Sequence, residues 1–451
     1  MRLLLTTAAL ATTALTLPAS AEKAFPATLA GHAYVPANTM IAPPAGAPAD
    51  AAVSGKFTGP APNRDIGSVP GDTGKDYGNH STGLSLPFDG QPFQGMSGFA
   101  MNGAEDGSIY ALTDNGFGSK MNSPDALLFF HRLSPDFDAG TVAMDEHIFL
   151  HDPDRKVPFR IAYEGTESRY LTGADFDPES IQLLNGEIWI GDEFGPYLLR
   201  VATDGKVLDV FATRIGDAVV KSPDHPTLRV PAEAGKDYTV QRSGGYEGMA
   251  LQPGTNLLWA MMEKPLLAEG GAPAGNLLPV AIFDPAKRDW TGDVYHFALG
   301  DGAKAIGDFN FIDDTRALVI ERDNGEGDPS LTCEADATPD CYPNPALVKR
   351  VVLVDTADHD ADGTMRRIGS VDLMNIADPD SKSRLESSAR DKPADRFTFP
   401  FFTIEDVMRV YDTHILVAND NNQPFSGGRK LGEAANNEFI LLSVPELLAA
   451  K

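Results

Sequence analysis

Two cysteines in 451 residues leave the fold to a hydrophobic core, because one covalent link cannot hold a chain of this size. Basic residues are scarce as well: 37 Lys and Arg face 64 Asp and Glu, a formal net charge of −27. A chain so acidic is excluded as a nucleic-acid binder, since such binding begins with Lys and Arg neutralising phosphates. Beyond the first 17 residues no apolar run is long enough to span a bilayer. There is no G-x-S-x-G elbow, P-loop or dinucleotide fingerprint. The nine His are scattered without zinc-ligand spacing. What is abundant is Gly (43) and Pro (34), beside 42% apolar residues. That mixture excludes disorder and long helices and favours many short elements joined by turns.

The N-terminus has its own grammar. Arg2, the apolar run 3–17 and Ala19-Ser20-Ala21 read as a secretory signal peptide cut after Ala21. The chain then divides into a signal peptide (1–21), an Ala/Pro/Gly-rich arm or edge element with few clear strands (22–80) and one β domain (81–451). The expected product is a periplasmic or secreted monomer. Cys333 and Cys341 lie eight positions apart in CEADATPDC, the spacing of a loop disulfide in an oxidising compartment.

Internal similarity decides the fold class. Five segments share one plan, an apolar strand, a turn, and a second apolar strand ending in an acidic or amide residue. They span 96–116, 177–195, 246–264, 306–325 and 403–421. Links such as Asn185-Gly186, Pro253-Gly254 and Asp313-Asp314 carry hairpin-turn chemistry. Further β-like runs follow the hairpins, giving about four strands per unit. The expectation is an all-β chain folded as a β-propeller rather than a β-sandwich. Five four-stranded repeats are visible, and six blades are expected in total, the sixth assembled from the N-terminal arm and the final strands. Long insertions fall at 213–245, 323–344 and 375–395, and 444–450 fits one short terminal helix.

The acids recur inside this plan. Glu179 precedes Glu193 by 14 residues, Glu247 precedes Glu263 by 16, Asp308 precedes Glu321 by 13 and Glu405 precedes Asp420 by 15. A hairpin of two ~6-residue strands returns to its starting edge over about that distance. Glu179, Glu247, Asp308 and Glu405 are therefore expected at one mouth of the central channel. Asp114, Asp192, Glu193, Glu263, Glu321, Asn419 and Asp420 form a second circle beside them. Carboxylates this crowded need protons, basic partners or a cation. Oxygen donors suit Ca²⁺ best, and Mg²⁺ or Mn²⁺ less well. The expected metal ligands are Glu179, Glu247, Asp308, Glu321, Glu405, Asn419 and Asp420. Glu193 or Glu263 is the candidate general base, and Arg242, Lys264 and Arg322 are candidates to orient an anionic group. Asp358, Asp360 and Asp362 make the first half of an oxygen-ligand Ca²⁺ loop without its closing Glu, and read equally as a polar turn.

At these repeats the sequence resembles the bacterial phytase-like domain described by an "esterase-like activity of phytase". The resemblance is carried by DPESIQLLNGEIWIGDEFGPYLLRVATDGKVL, YEGMALQPGTNLLWAMMEKPL, FNFIDDTRALVIERDNG and ILVANDNN, and covers about 93–445. It implies a propeller with Ca²⁺ in an acidic channel and places Glu179, Glu193, Arg242, Glu247, Glu263, Glu321, Arg322, Asn419 and Asp420 at recurrent motif positions. One departure is Glu405-Asp406, where the last repeat of the family reads E-G. The resulting expectation is an exported Ca²⁺-dependent hydrolase of phosphate or other esters, working through metal-activated water on a small anionic ester. Two alternatives stand beside it. One is a Ca²⁺-dependent lactonase of the gluconolactonase and paraoxonase type, using Glu179, Glu247 and Asn419-Asp420. The other is a non-catalytic propeller that binds a ligand or a protein.

Overall fold

The computed structural model describes residues 22–58, 72–101, 107–229, 231–334, 340–390 and 393–451. Residues 1–21, read above as a signal peptide, lie outside them. Among the described residues five antiparallel four-stranded units follow one another around the chain, the first and last joined edge to edge into one sheet. Blade 1 is Met96–Met101, Ile109–Thr113, Phe129–Asp136 and Thr141–Phe149. Blade 2 is Pro178–Leu184, Glu187–Asp192, Tyr197–Ala202 and Val207–Ala212. Blade 3 is Tyr246–Leu251, Leu258–Met262, Leu277–Asp284 and Asp289–Ala298. Blade 4 is Ala305–Phe311, Arg316–Arg322, Lys349–His359 and Met365–Asp372. Blade 5 takes Asp406–Tyr411, His414–Ala418 and Asn437–Ser443 from the C-terminus and Thr28–Val35 from the N-terminus.

The N-terminal and final strands therefore complete the fifth blade and do not build a sixth. Thr28–Val35 pairs antiparallel with Asn437–Ser443, which joins the two ends of the ring. The same N-terminal stretch lays Ala24–Phe25 parallel to Ser370–Val371 on the edge of blade 4 and touches blade 1 through Tyr34 and Thr141. Part of the segment that looked poor in strands is thus a tie across three blades.

The core lies between the blades. Leu112 and Phe130 meet Ile181 and Ile190 between blades 1 and 2, and Trp189 and Leu198 meet Met249 and Phe283 between blades 2 and 3. Met261 and Val280 meet Phe309 and Val319 between blades 3 and 4, and Ile320 and Leu353 meet Val407 and Ile440 between blades 4 and 5. Met408 and Phe439 meet Phe99 and Phe129 between blades 5 and 1, which closes the circle. Each second strand is covered on both faces, so it reads as a continuous apolar run such as LWAMM or ALVI. Asn185 and Gly186 both hold positive φ (53° and 78°), as a tight two-residue hairpin requires. Cys333 and Cys341 are disulfide-bonded. Among the described residues helix is limited to short pieces, with one α-helix at Pro445–Ala449. Among the described residues no helix is long and apolar enough to cross a membrane.

Candidate functional site: the acidic channel mouth

The sheet registers explain how the acids reach the channel. The innermost strand of blade 2 slips register between Pro178 and Ser180, leaving Glu179 as a bulged residue. Blade 3 does the same at Glu247 and blade 4 at Gly307. A bulge re-aims a side chain that the alternating pleat would otherwise bury between blades. In blade 1 the irregularity spans Ser97 and Gly98, and in blade 5 Glu405 directly precedes its strand. Counted from these registers, the first circle is Ser97, Glu179, Glu247, Gly307 and Glu405. The second circle, the residue after each second strand position that pairs beside the bulge, is Asp114, Glu193, Glu263, Arg322 and Asp420.

Blade 4 thus departs from the expected pattern by one residue in each circle. Gly307, not Asp308, holds the first position, and Arg322, not Glu321, holds the second. The physical reason is the bulge combined with the two-residue side-chain period: one step along the strand turns the side chain away. Asp308 is buried outside the mouth, where it accepts hydrogen bonds from Phe309 N (2.6 Å), Asn310 Nδ2 (3.0 Å) and Val407 N (2.7 Å). It ties blade 4 to blade 5, as Asp406 ties blade 5 to blade 1 by accepting from Gly98 N at 2.8 Å. Glu321 points away and is held by Arg350 (2.5 Å) and Arg367 (2.6 Å).

Gly307 also explains why no glutamate stands there. A Cβ at this position would lie 1.9 Å from the Ile404 carbonyl oxygen. Gly307→Ala is expected to destabilise the protein by about 1–3 kcal/mol through overpacking against backbone, read as a lower urea midpoint.

The remaining candidates separate cleanly. Glu179, Glu193, Glu247, Glu263, Lys264, Arg322, Glu405 and Asp420 all line one cavity of about 280 Å³ at the channel mouth. Asp114, Asp177, Lys304, Phe402 and Asn422 line it too. Asp192 is not in the lining; it accepts from Asp177 N (2.8 Å) and Gly195 N (2.7 Å). Asn419 is committed to backbone, donating to the Asp420 and Asn436 carbonyls and accepting from Glu438 N. Arg242 is exposed and pairs with Asp224 at 2.6 Å, outside the cavity. Asp358, Asp360 and Asp362 occupy an exposed hairpin turn. Asp358 pairs with Arg366, and Asp362 accepts from Thr364 N at 3.0 Å.

Arg322 is the counter-charge of the mouth. It is 6% exposed. Its Nη2 lies 3.0 Å from Glu263, 3.5 Å from Glu405 and 3.9 Å from Glu247. Lys264 pairs with Glu263 at 2.5 Å. Lys264 also acts on Glu193, but on the side of Asp177 and Glu179 no ion pair to Lys or Arg occurs among the described residues. There, one carboxylate oxygen each from Asp177, Glu179 and Glu193 lie within 4.8 Å of one another. Asp177 Oδ1, Glu193 Oε1 and Glu247 Oε1 are buried without a hydrogen bond. Burial first, and then neighbouring carboxylates, push the proton affinity of Glu179, Glu193 and Glu247 well above the usual carboxylate range. Burial likewise raises Asp177 to about 7 and Glu405 to about 8.

Asp177 and Lys304 were missed as site residues. Asp177 shares the DPE run with Glu179, which is a usable signal; Lys304 stands in the loop before blade 4 with none.

The ring of sheets has distant likenesses among solved structures. A native arabinanase from Bacillus subtilis is 11% identical, covering 78% of this chain and 94% of its own, with a TM-score of 0.35. A luciferin-regenerating enzyme is 8% identical, over 78% and 77%, with a TM-score of 0.33. The Pan2 WD40 domain of Neurospora crassa is 8% identical, over 78% and 90%, with a TM-score of 0.31. Likenesses this slight carry no argument about activity. No curated protein matches the chain. A family model described as Phytase-like, esterase-like activity of phytase, matches residues 91–423, which include every residue of both circles. On that match, over well more than half its length, the chain belongs to the Phytase-like family.

Proposed function

We propose that the channel mouth holds a divalent cation, Ca²⁺ by preference, and hydrolyses anionic esters. The observation that carries this reading is the pair of buried carboxylate oxygens left without a hydrogen bond at Asp177 and Glu193, beside the close grouping of Asp177, Glu179 and Glu193. Hard carboxylate oxygen donors suit Ca²⁺. The donor set fits, so Asp177, Glu179 and Glu193 are its ligands in this account. The cation supplies there the positive charge the carboxylates lack and a Lewis acid beside the bound ester.

The chain's own residues divide the remaining work. Arg322, Lys264 and Lys304 set positive charge in the same cavity, where they hold an ester's anionic group. Glu263 is already engaged by Arg322 and Lys264 and serves to orient them. Glu247, whose Oε1 makes no hydrogen bond and lies 3.9 Å from Arg322, takes the proton of the attacking water. The lactonase alternative is weakened by the Asn419 amide, which is spent on backbone carbonyls.

The disulfide belongs to an oxidising compartment. With the leader-like N-terminus it supports export after cleavage at Ala21. The test is activity on phosphate and aryl ester substrates. Chelator-stripped protein is expected to be inactive and to recover with Ca²⁺. Absence of turnover on every such ester with Ca²⁺ present overturns the hydrolase reading.

A further inference from the structure

Among the described residues that line the mouth, Phe402 is the only aromatic side chain. Its ring is stacked face to face with Tyr77, at 3.6 Å between centroids and 12° between planes. Tyr77 stands in the turn between Asp72–Lys75 and Ser81–Leu86, outside the propeller repeats. Exposed aromatic rings on such turns are normally free to swing, and this one is not. Its hydroxyl donates to Asn422 Oδ1 at 3.2 Å, and its backbone N–H donates to Glu326 Oε2 at 3.1 Å. Asn422 itself lines the mouth, and Glu326 is buried. Yet Tyr77 remains 49% exposed. A large apolar ring is thus fixed in orientation, backed by a second ring on one face and open elsewhere, at the edge of an otherwise charged cavity. On the inner side the Arg322 guanidinium lies 5.8 Å from the Phe402 ring centre. The anion-holding charge therefore adjoins the inner ring of the aromatic pair.

We propose that Tyr77 and Phe402 form a stacking subsite that selects esters whose non-reacting part is a planar ring, over alkyl or polyol esters. The proposal rests on the anionic-ester reading of the mouth and adds the class of leaving group. A ring already fixed in place loses little freedom when a second ring stacks on it, so the stacking energy appears as selectivity. An aromatic pair of this kind accounts for a preference of about tenfold.

The test uses binding, so that it does not depend on turnover. Phenylphosphonate and butylphosphonate are titrated calorimetrically into Ca²⁺-loaded wild type, Tyr77→Ala and Tyr77→Phe. Wild type is expected to favour phenylphosphonate about tenfold. Tyr77→Ala, with an unchanged thermal midpoint, is expected to lose that preference, and Tyr77→Phe to keep it. Equal affinity for the two phosphonates in wild type, binding of neither, or an undiminished preference in Tyr77→Ala overturns the subsite. A ring preference lost in Tyr77→Ala, in a protein that hydrolyses no ester, upholds the subsite and overturns the hydrolase reading alone.

Discussion

Arg322→Leu is expected to remove about 3–5 kcal/mol of stability, the usual consequence of stripping one partner from a buried ion pair. The guanidinium is the counter-charge for three glutamates, Glu247, Glu263 and Glu405, each nearly inaccessible to water. Without it, Lys264 still pairs with Glu263, but Glu247 and Glu405 face Glu263 across a small cavity without their guanidinium partner. The loss is therefore expected to be largest in alkaline buffer and to shrink on acidification. Arg322→Leu combined with Glu263→Gln is expected to recover part of it, since the double change removes a charge as well as its partner. Urea unfolding of the four proteins of this cycle at two pH values measures the effect. Equal stability of wild type and Arg322→Leu would show that the glutamates are neutral in the folded protein.

The second large effect is a pH dependence that a cation suppresses. Asp114, Asp177 and Glu405 bind protons at about 6, 7 and 8 in the folded protein, chiefly because burial disfavours their charge. In the unfolded chain such groups titrate near ~4. The folded state thus holds protons more tightly. The stability linked to them is fully present below about pH 4 and is lost as pH rises through about 8. Cation-free protein is expected to lose several kcal/mol over that interval. With Ca²⁺ in excess the charge is neutralised by the ion, and the decline is expected to flatten. Thermal melts from pH 5 to pH 8.5, with chelator and with Ca²⁺, separate the two curves. Coincident curves would mean that the cation does not bind the folded mouth.

The sequence made the architecture readable because a propeller repeats its signals. Each second strand is a short apolar run capped by a polar residue, and the hairpin length places both acids of a unit at one edge. Blades 2 and 3 follow that rule without exception, so Glu179, Glu193, Glu247 and Glu263 were legible. Blade 4 was not, because counting along the chain ignores the bulge. The apolar residue after the bulge is the better anchor. Aligning Phe309 with Ile181, Met249 and Val407 puts Gly307 beneath the glutamates and Arg322 beneath Glu193 and Glu263. The charge reversal at Arg322 then becomes visible. The blade count misled for a related reason. Ring closure joins strands some 400 residues apart, and nothing local in Thr28–Val35 announces its partner. The Asp358, Asp360 and Asp362 pattern shows the converse: spacing alone is met by an ordinary hairpin turn.

The excess of acid over base acquires a location from this structure. Eight carboxylates share the mouth with three basic side chains; Lys264 acts on Glu193, and on the side of Asp177 and Glu179 no ion pair to Lys or Arg occurs among the described residues. The central claim is that a divalent cation completes that side. Its most direct test is calorimetric titration of Ca²⁺ into chelator-stripped wild type and Glu179→Gln, with folding of both checked by circular dichroism. The account predicts saturable binding to wild type that is abolished or weakened at least tenfold in the variant, about 1.4 kcal/mol or more. Wild type that takes up no Ca²⁺, or a Glu179→Gln protein that binds it equally well, would contradict the account.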